Sequence, residues 1–553
     1  MRHVLLIVAS ICLLISPASA QQRFVDARVH SAMESVSVDS IWKHASVLAH
    51  DSLEGRGTGT PGGARAAQYI AVKLREYGVR PGNGQRYFQD IPMHGSVPLP
   101  ESKLTLSLRG AETVLALQRD YVLYKTGAQT HIPRPLRLVF VGYGIVAPEF
   151  DYNDYQNLDV AGAVVVFLEG EPISDDDEYF SGRRPTLHSL PEMKQRVALS
   201  RGARGSIMLP VPRESPGYTW KDWVRIFSFE DVTLPITVPS HLSILLNPER
   251  ANLLFHSVQY SYADVLRMDS TGRMRSFPLE VQLRFVGVFR ERDFIAHNVA
   301  GVLEGSEALL RDSWIICCAH YDHLGIGPSI LGDSVYNGLV DNALGTAAVM
   351  ELARVLSIEK HRPRRSILFL FVTGEEKGLL GSSYYCMDPL VPLHKTVATL
   401  NVDGLAIIDE FHSITGVGSE YSTMQELLVR IAEELGLSVS RIPPVFDLVK
   451  AFASSDQITF AQAGIPSMLV MEGFSWRNIE TNEGLRRFIA WGRERYHTPF
   501  DDLSQPISLP AVRQHAKVLL ACLSALADTF EPPQWIRGTK YINARLQSIA
   551  EER

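Results

Sequence analysis

The stretch Arg365–Ser382, RSILFLFVTGEEKGLLGS, begins with an apolar run that is typical of a buried strand. Two carboxylates, Glu375 and Glu376, stand side by side directly after that run. If they are buried, each loses its water and repels its neighbour, so the pair is costly at such a position. Either both side chains point into solvent, or a positive group lies beside them.

Strands and helices alternate on both sides of this stretch from about Asn298 onward. The runs WIICCAHYD, VATLNVDG and IPSMLVME are mostly apolar, which predicts strands that are covered on both faces. Runs with helical periodicity separate them, among them NALGTAAVMELARVL and LPAVRQHAKVLLACLSALADTF. The sequence therefore predicts an α/β fold with a mainly parallel twisted sheet flanked by helices.

Titratable side chains stand where the predicted strands end. In sheets of this kind, reactive groups gather beyond the carboxyl ends of the strands. The candidates at these positions are His320, Asp322, Asp341, Glu375, Glu376, Asp403 and His497. Each has a structural explanation when taken alone: Asp341 as a helix N-cap, Asp403 as a turn cap, His497 as a surface or core histidine. Their shared placement favours a common site.

The chemistry of these side chains indicates a metal site. Nitrogen and oxygen ligands without thiolate suit zinc or a similar divalent ion, and two histidines with three carboxylates match two such ions in charge. Successive residues of an extended segment point in opposite directions, so we expect Glu376 to be a ligand and Glu375 to face the reacting water as general base. Asp322 is expected to lie on the same side as His320 and to hold its ring.

Five motifs, AHYDHLG, VDNALG, TGEEKGLLGS, NVDG and YHTPFDD, together resemble the M28 family of zinc peptidases, which includes many aminopeptidases. Their order and spacing fit from Asn298 to Phe530. The resemblance implies two Zn²⁺ ions per chain. Ligands of this type also accept other divalent ions in place of zinc. It implies these ligands: His320 and Asp403 for one ion, Glu376 and His497 for the other, and Asp341 as a bridge between them. It also implies that Glu375 is the base and that Tyr496 supports the oxyanion.

One segment departs from the family pattern. In SSDQITFAQAGIP, Gln457 follows Asp456, whereas the family usually has a histidine after the aspartate. The five ligand positions are intact, so the departure bears on substrate contacts or on the support of the ligands rather than on metal binding. His323, which follows Asp322, has no assigned role.

The N-terminus predicts export. Arg2 and His3 precede the apolar run VLLIVASICLLI and the small-residue sequence ASA, a pattern typical of a signal peptide over residues 1–20. An uncleaved membrane anchor is the alternative, but the run is short for a membrane span. We therefore expect a periplasmic or extracellular protein with no membrane span after signal removal.

The chain of 553 residues is long enough for two or more domains. Residues 21–103 resemble the N-terminal part of the peptidase domain, and residues 285–535 its main part. Between them, VFVGYGIVAPEFDYNDYQNLDVAGAVVVFLEGEP and KQRVALSRGARG resemble a protease-associated (PA) domain, a small β-rich α/β insert over residues 104–284. Residues 536–553 are predicted to be a C-terminal tail.

Three classes of function remain for such a chain. The leading one is an exported dizinc aminopeptidase that acts on peptide substrates. The second is a carboxypeptidase, dipeptidase or small-amide hydrolase, which would need a basic pocket, for example with Arg477 or Arg486. The third is a non-catalytic binding protein on the same scaffold, which would lack metal ligands.

The net charge of −7 and the lack of a basic run with interleaved aromatic residues argue against nucleic acid binding. The oligomeric state stays open.

Overall fold

A computed structural model describes residues 23–125, 131–183, 185–211, 219–237, 241–443 and 448–550. The predicted signal peptide, 1–20, lies outside these residues. None of the described helices combines the length and the apolar character that a membrane crossing requires.

The strands of the described residues are numbered in chain order. They are β1 (Arg80–Pro81), β2 (Phe88–Pro98), β3 (Lys103–Leu108), β4 (Ala111–Leu115), β5 (Tyr121–Lys125), β6 (His131–Val141), β7 (Val146–Ala147), β8 (Tyr152–Asn153), β9 (Val164–Leu168), β10 (Gly205–Leu209), β11 (Asp231–Thr233), β12 (Leu242–Leu246), β13 (Ser276–Val286), β14 (Phe289–Leu303), β15 (Trp314–His320), β16 (Gly325–Ile330), β17 (Asp333–Tyr336), β18 (Ser366–Val372), β19 (Thr396–Asn401), β20 (Ser413–Val417), β21 (Ser438–Val439) and β22 (Ser467–Glu472).

The α-helices are numbered in the same way. They are α1 (Ala27–Glu34), α2 (Val38–Leu48), α3 (Pro61–Glu76), α4 (Pro191–Ser200), α5 (Trp220–Ile226), α6 (Tyr262–Ser270), α7 (Leu344–Leu356), α8 (Leu380–Met387), α9 (Met424–Glu434), α10 (Leu448–Ala453), α11 (Gln457–Gln462), α12 (Thr481–Glu494), α13 (Leu509–Asp528) and α14 (Ile542–Ala550).

The larger sheet has the strand order β11-β2-β14-β18-β15-β19-β22-β20-β21, with β1 paired to β14. Its four central strands, β18, β15, β19 and β22, run parallel. The strands beyond β18, namely β14, β2 and β11, are antiparallel, and β20 is antiparallel to β22. The predicted α/β class is confirmed, and the parallel part of the sheet is its centre.

Burial explains why the central strands are apolar throughout. All seven residues of β18 are buried, as are all six of β19. Helices α7 and α13 contact the sheet and are themselves buried over most of their length. Because helices cover the central strands, the charged residues of these strands stand at the strand ends, as His320 of β15 and Glu472 of β22 do.

A second sheet, with the order β4-β3-β13-β6-β9-β10-β12-β5, is built from residues between 103 and 286 and encloses its own apolar core. One short strand from the same part of the chain, β11, pairs instead with β2 of the larger sheet. The division into residues 21–103, 104–284 and 285–535, and the PA character of the insert, stay predictions.

Candidate metal centre

The carboxyl ends of the parallel strands bring the predicted site residues together. His320 is the last residue of β15, Glu375 and Glu376 follow β18, and Asp403 follows β19. Asp341 lies in the irregular turn 339–343 that precedes α7, and His497 lies just after α12. Six residues from five separate segments thus meet at one edge of the sheet, as the strand-end positions predict.

The two carboxylate oxygens of Asp341 each face a different histidine. Oδ1 lies 3.3 Å from Nε2 of His320, and Oδ2 lies 3.1 Å from Nε2 of His497. On the first side, Nε2 of His320 is also 3.1 Å from Oδ1 of Asp403. On the second side, Nε2 of His497 is also 3.1 Å from Oε2 of Glu376. The five residues therefore form two sets of three that share Asp341.

These separations fit residues that hold zinc. Two ligands that are about 2.0–2.1 Å from one ion and at a tetrahedral angle lie roughly 3.3 Å apart. Moreover, Oδ2 of Asp341 and Nε2 of His497 are buried and make no hydrogen bond within the described residues, although they are only 3.1 Å apart. Two polar atoms that face each other without hydrogen bonding are arranged like ligands of a shared ion.

The two neighbouring glutamates contact different groups. Both oxygens of Glu376 lie against histidines, Oε2 near His497 and Oε1 at 2.6 Å from Nδ1 of His323. Glu375 instead has a carboxylate oxygen within 4.8 Å of ligand atoms of both His320 and Asp403. The adjacent carboxylates therefore serve opposite sides of the site, although they lie in a turn after β18 and not in the extended segment predicted from the sequence.

Asp322 contacts His320 differently from the prediction. Its main-chain carbonyl lies 3.2 Å from Nδ1 of His320, whereas its carboxylate is 3.9 Å from that nitrogen. The carboxylate accepts hydrogen bonds from Oγ1 of Thr58 at 2.8 Å and from the backbone N–H of Glu375 at 3.3 Å. The carbonyl of Asp322 thus fixes the imidazole, while its carboxylate anchors the segment that carries Glu375.

His323 belongs to the site, which sequence reasoning missed. Its ring is fully buried, and Nδ1 lies 3.8 Å from Oδ2 of Asp341 as well as 2.6 Å from Glu376. A Cβ at Gly338 would overlap the ring, so the glycine leaves the space that the histidine occupies. The only signal in the sequence was its place inside AHYDHLG, because its partner Glu376 is 53 residues away.

Two further residues, also unassigned from the sequence, fix Asp341. The carboxylate of Asp501 accepts hydrogen bonds from the backbone N–H groups of Val340 and Asp341 at 3.0–3.1 Å. The side chain of Asn342 donates to the carbonyl of Val402 and accepts from the N–H of Gly404. Both of the segments that carry Asp341 and Asp403 are therefore tied together next to the site.

Gln457 forms hydrogen bonds that support a strand of the larger sheet. Its side chain accepts a hydrogen bond from Asn401 at 2.9 Å and donates to the carbonyl of Phe452 at 3.0 Å. It thereby supports the end of β19, two residues before Asp403. Its neighbour Asp456 is fully buried and accepts a hydrogen bond from Ser382, and burial raises the pKa of Asp456 to about 7.

Tyr496 stacks on His497, with ring centroids 3.8 Å apart, and 44% of the tyrosine is exposed. It lines a cavity that Asp341 and Asp403 also line. The residue is therefore close to the ligand sets and open to an approaching molecule.

Opposite charges determine the electrostatics of the cluster. Burial favours neutral groups, but the facing histidines hold the pKa of Asp341 well below its ordinary value. Burial lowers the pKa of His497, yet Glu376 and Asp341 outweigh it and raise that pKa well above the usual range. Burial raises the pKa of Glu375 well above normal, against the effect of His320. The carboxylates thus need positive charge beside them.

Comparisons with known proteins match one part of the chain to a protein family. Residues 298–523 match Peptidase family M28. The chain is 29% identical over 265 residues to Aminopeptidase YwaD of Bacillus subtilis (strain 168), which covers 46% of this chain and 50% of that protein. It is 27% identical over 371 residues to Probable glutamate carboxypeptidase VP8 of Zea mays, which covers 62% of this chain and 47% of that protein. The chain spans about half the length of these curated relatives.

Among solved structures, the aminopeptidase from Aneurinibacillus sp. strain AM-1 superposes with a TM-score of 0.55. The match covers 92% of this chain and 100% of that protein, at 18% sequence identity. At this identity the likeness shows the fold alone. Because 92% of this chain is covered, the superposed region includes residues of both sheets.

Proposed function

Residues 298–523 match Peptidase family M28, and on that premise we propose that this chain is an exported aminopeptidase that uses two zinc ions. The observation that carries the proposal is the pair of ligand sets that share Asp341, beside a cavity lined by further carboxylates. The proposed ligands are His320, Asp341, Glu376, Asp403 and His497, and export rests on the signal-like residues 1–20.

Each residue has a distinct part in the proposed reaction. Zinc at such a site supplies a Lewis acid that polarises a carbonyl and makes water more acidic. Glu375 accepts the proton of the attacking water and passes it to the leaving amine. Tyr496 donates a hydrogen bond to the oxygen that becomes negative in the transition state. Asp322 keeps Glu375 in place through the backbone N–H.

The charges around the cavity favour a free amine over a free carboxylate. Of the described residues that line it, none is lysine or arginine, and three are carboxylates: Asp341, Asp403 and Glu472. The two arginines considered for a carboxypeptidase pocket do not line this cavity. Arg477 forms an ion pair with Glu410 at 3.3 Å, and Arg486 forms one with Glu483 at 2.6 Å. The described lining therefore offers no arginine or lysine that would pair with a substrate's C-terminal carboxylate.

The region between 104 and 284 is proposed to shape access to this site. Arg225 of α5 donates a hydrogen bond to the carbonyl of His497 at 3.3 Å. Phe229 packs edge-on against Tyr336 with ring centroids 5.0 Å apart. The segment from α5 to Phe229 therefore lies against the residues around the site, and we propose that it limits which peptides enter.

Blocking the N-terminus of a peptide is expected to lower the rate of cleavage by about a hundredfold or more, if contacts of the amine contribute about 3 kcal/mol. The assay compares Leu-Ala-Ala amide and Lys-Ala-Ala amide with their Nα-acetylated forms at matched concentration, with zinc present. Cleavage must release the N-terminal residue. Equal rates for free and acetylated peptides, or loss of the C-terminal residue only, would favour the carboxypeptidase or amide-hydrolase alternative.

Zinc reconstitution is expected to give about two ions per chain. His323→Leu should weaken the site that contains Glu376 by about ten- to a hundredfold, because a buried partner of a ligand is lost while the ring volume is partly kept. Competition with a chromophoric chelator measures both affinities, and His297→Ala, at an exposed pair with Asp90, is the control. One ion or none in the wild type, or unchanged affinity in His323→Leu, contradicts this assignment.

A further inference from the structure

A small cavity of about 200 Å³ is lined by two of the proposed ligands, Asp341 and Asp403. Its walls come from the loop after β19, from the end of β22 and from α12. The apolar residues in these walls are Leu405, Ile407, Ile408, Met471, Phe488 and Trp491. At about 30 Å³ per water, the volume corresponds to roughly six or seven waters, which is the scale of one long side chain rather than of a peptide segment.

One wall of this apolar cavity carries a carboxylate that lacks a counter-charge. Glu472, the last residue of β22, is only 6% exposed and lines the cavity. Apart from its own backbone N–H, its side chain has no hydrogen bond or ion pair with any residue in the described parts of the chain. Burial raises the pKa of Glu472 to about 7. Buried carboxylates without partners are rare in native proteins.

His515, the histidine among the described residues of the cavity wall, does not compensate this charge. Nδ1 of His515 accepts a hydrogen bond from the N–H of Ala406 at 2.9 Å, and Nε2 lies 3.1 Å from the carbonyl of Val470. Both ring nitrogens are therefore in use, and burial lowers the pKa of His515 to about 4, so the ring is neutral. The other charged groups that line the cavity, Asp341 and Asp403, are also acidic.

We propose that this cavity receives the side chain of the substrate's N-terminal residue and that Glu472 selects lysine or arginine there. The proposal rests on the proposed aminopeptidase function. The apolar walls cover the methylene stem of such a side chain, and the terminal cation reaches the carboxylate. A charge-assisted hydrogen bond then provides Glu472 with the partner that it lacks within the described structure. An apolar residue of equal length leaves the carboxylate unpaired.

Calorimetric titration of the zinc-loaded full-length protein with L-lysine and L-norleucine tests the pocket without catalysis. The two ligands share the stem and differ at the terminal group. We expect lysine to bind about tenfold to a hundredfold more tightly than norleucine. In Glu472→Gln, the ratio of the two dissociation constants should fall by at least about tenfold. Glu472→Met should reverse the preference, and Glu483→Gln, on the surface of α12, should leave it unchanged.

The same proteins are then assayed with lysyl and norleucyl 4-nitroanilides. A kcat/KM preference for lysine that Glu472→Gln abolishes supports both the pocket and the aminopeptidase. Selective lysine binding without cleavage of either substrate contradicts the proposed function but keeps the pocket. Tighter binding of norleucine, equal binding, no binding of either ligand, or a lysine preference that survives in both Glu472 variants overturns the inference. Circular dichroism confirms that the variants fold.

Discussion

Glu375→Gln is expected to lower kcat for an aminoacyl amide by about a hundredfold to ten-thousandfold while both zinc ions stay bound. The amide keeps the size of the side chain but cannot accept a proton from water. Both oxygens of the neighbouring Glu376 are placed against histidines, whereas Glu375 is held on the other side, near His320 and Asp403. The loss should therefore appear in the chemical step rather than in metal affinity.

Glu376→Gln provides the matched comparison, because it makes the same chemical change one residue away. This variant should lose affinity for one zinc ion. In the wild type, the carboxylate of Glu376 lies 3.1 Å from His497, and these two residues belong to the same ligand set. Zinc content and steady-state kinetics are measured on both variants. If Glu375→Gln loses metal while Glu376→Gln keeps full occupancy, the two roles are reversed.

Replacing Arg56 with methionine is expected to reduce the free energy of unfolding by about 3–5 kcal/mol. The guanidinium is fully buried and donates to four backbone carbonyls: Leu48 and Asn337 at 2.6 Å, Tyr321 at 2.7 Å and Gly338 at 2.8 Å. Methionine fills part of the volume but leaves these acceptors without a donor, and each buried unpaired group is costly. Burial lowers the pKa of Arg56 to about 10, so it is charged at neutral pH.

Urea unfolding followed by circular dichroism, with zinc present throughout, measures the loss for Arg56→Met. Arg80→Met is the control, because its ion pair with Glu304 is exposed and should contribute less than about 1 kcal/mol. Arg56 also binds the segments that flank His320 and Asp341, so zinc affinity should fall together with stability. An unfolding midpoint equal to that of the control variant would show that the four hydrogen bonds are replaced, for example by water.

The sequence alone determined the central strands and the covering helices. The apolar runs of β15, β18, β19 and β22 and the periodic runs of α7 and α13 each carry their own signal, because burial on both faces constrains every residue in the element. The positions of His320, Glu376 and Asp403 at strand ends follow from this pattern. The α/β class was therefore predictable, and the grouping of the ligand candidates followed from a general rule for parallel sheets.

Only the tertiary structure decided the contacts between residues that are distant in the chain. The pairing of His323 with Glu376, the anchoring of Glu375 by Asp322 and the position of Glu472 in an apolar cavity all depend on which segments become neighbours. The same holds for the antiparallel strands that extend the sheet beyond β18. Local periodicity reports which face of an element is buried, but it carries no information about the partner that buries it, because that choice is made by packing across the whole fold.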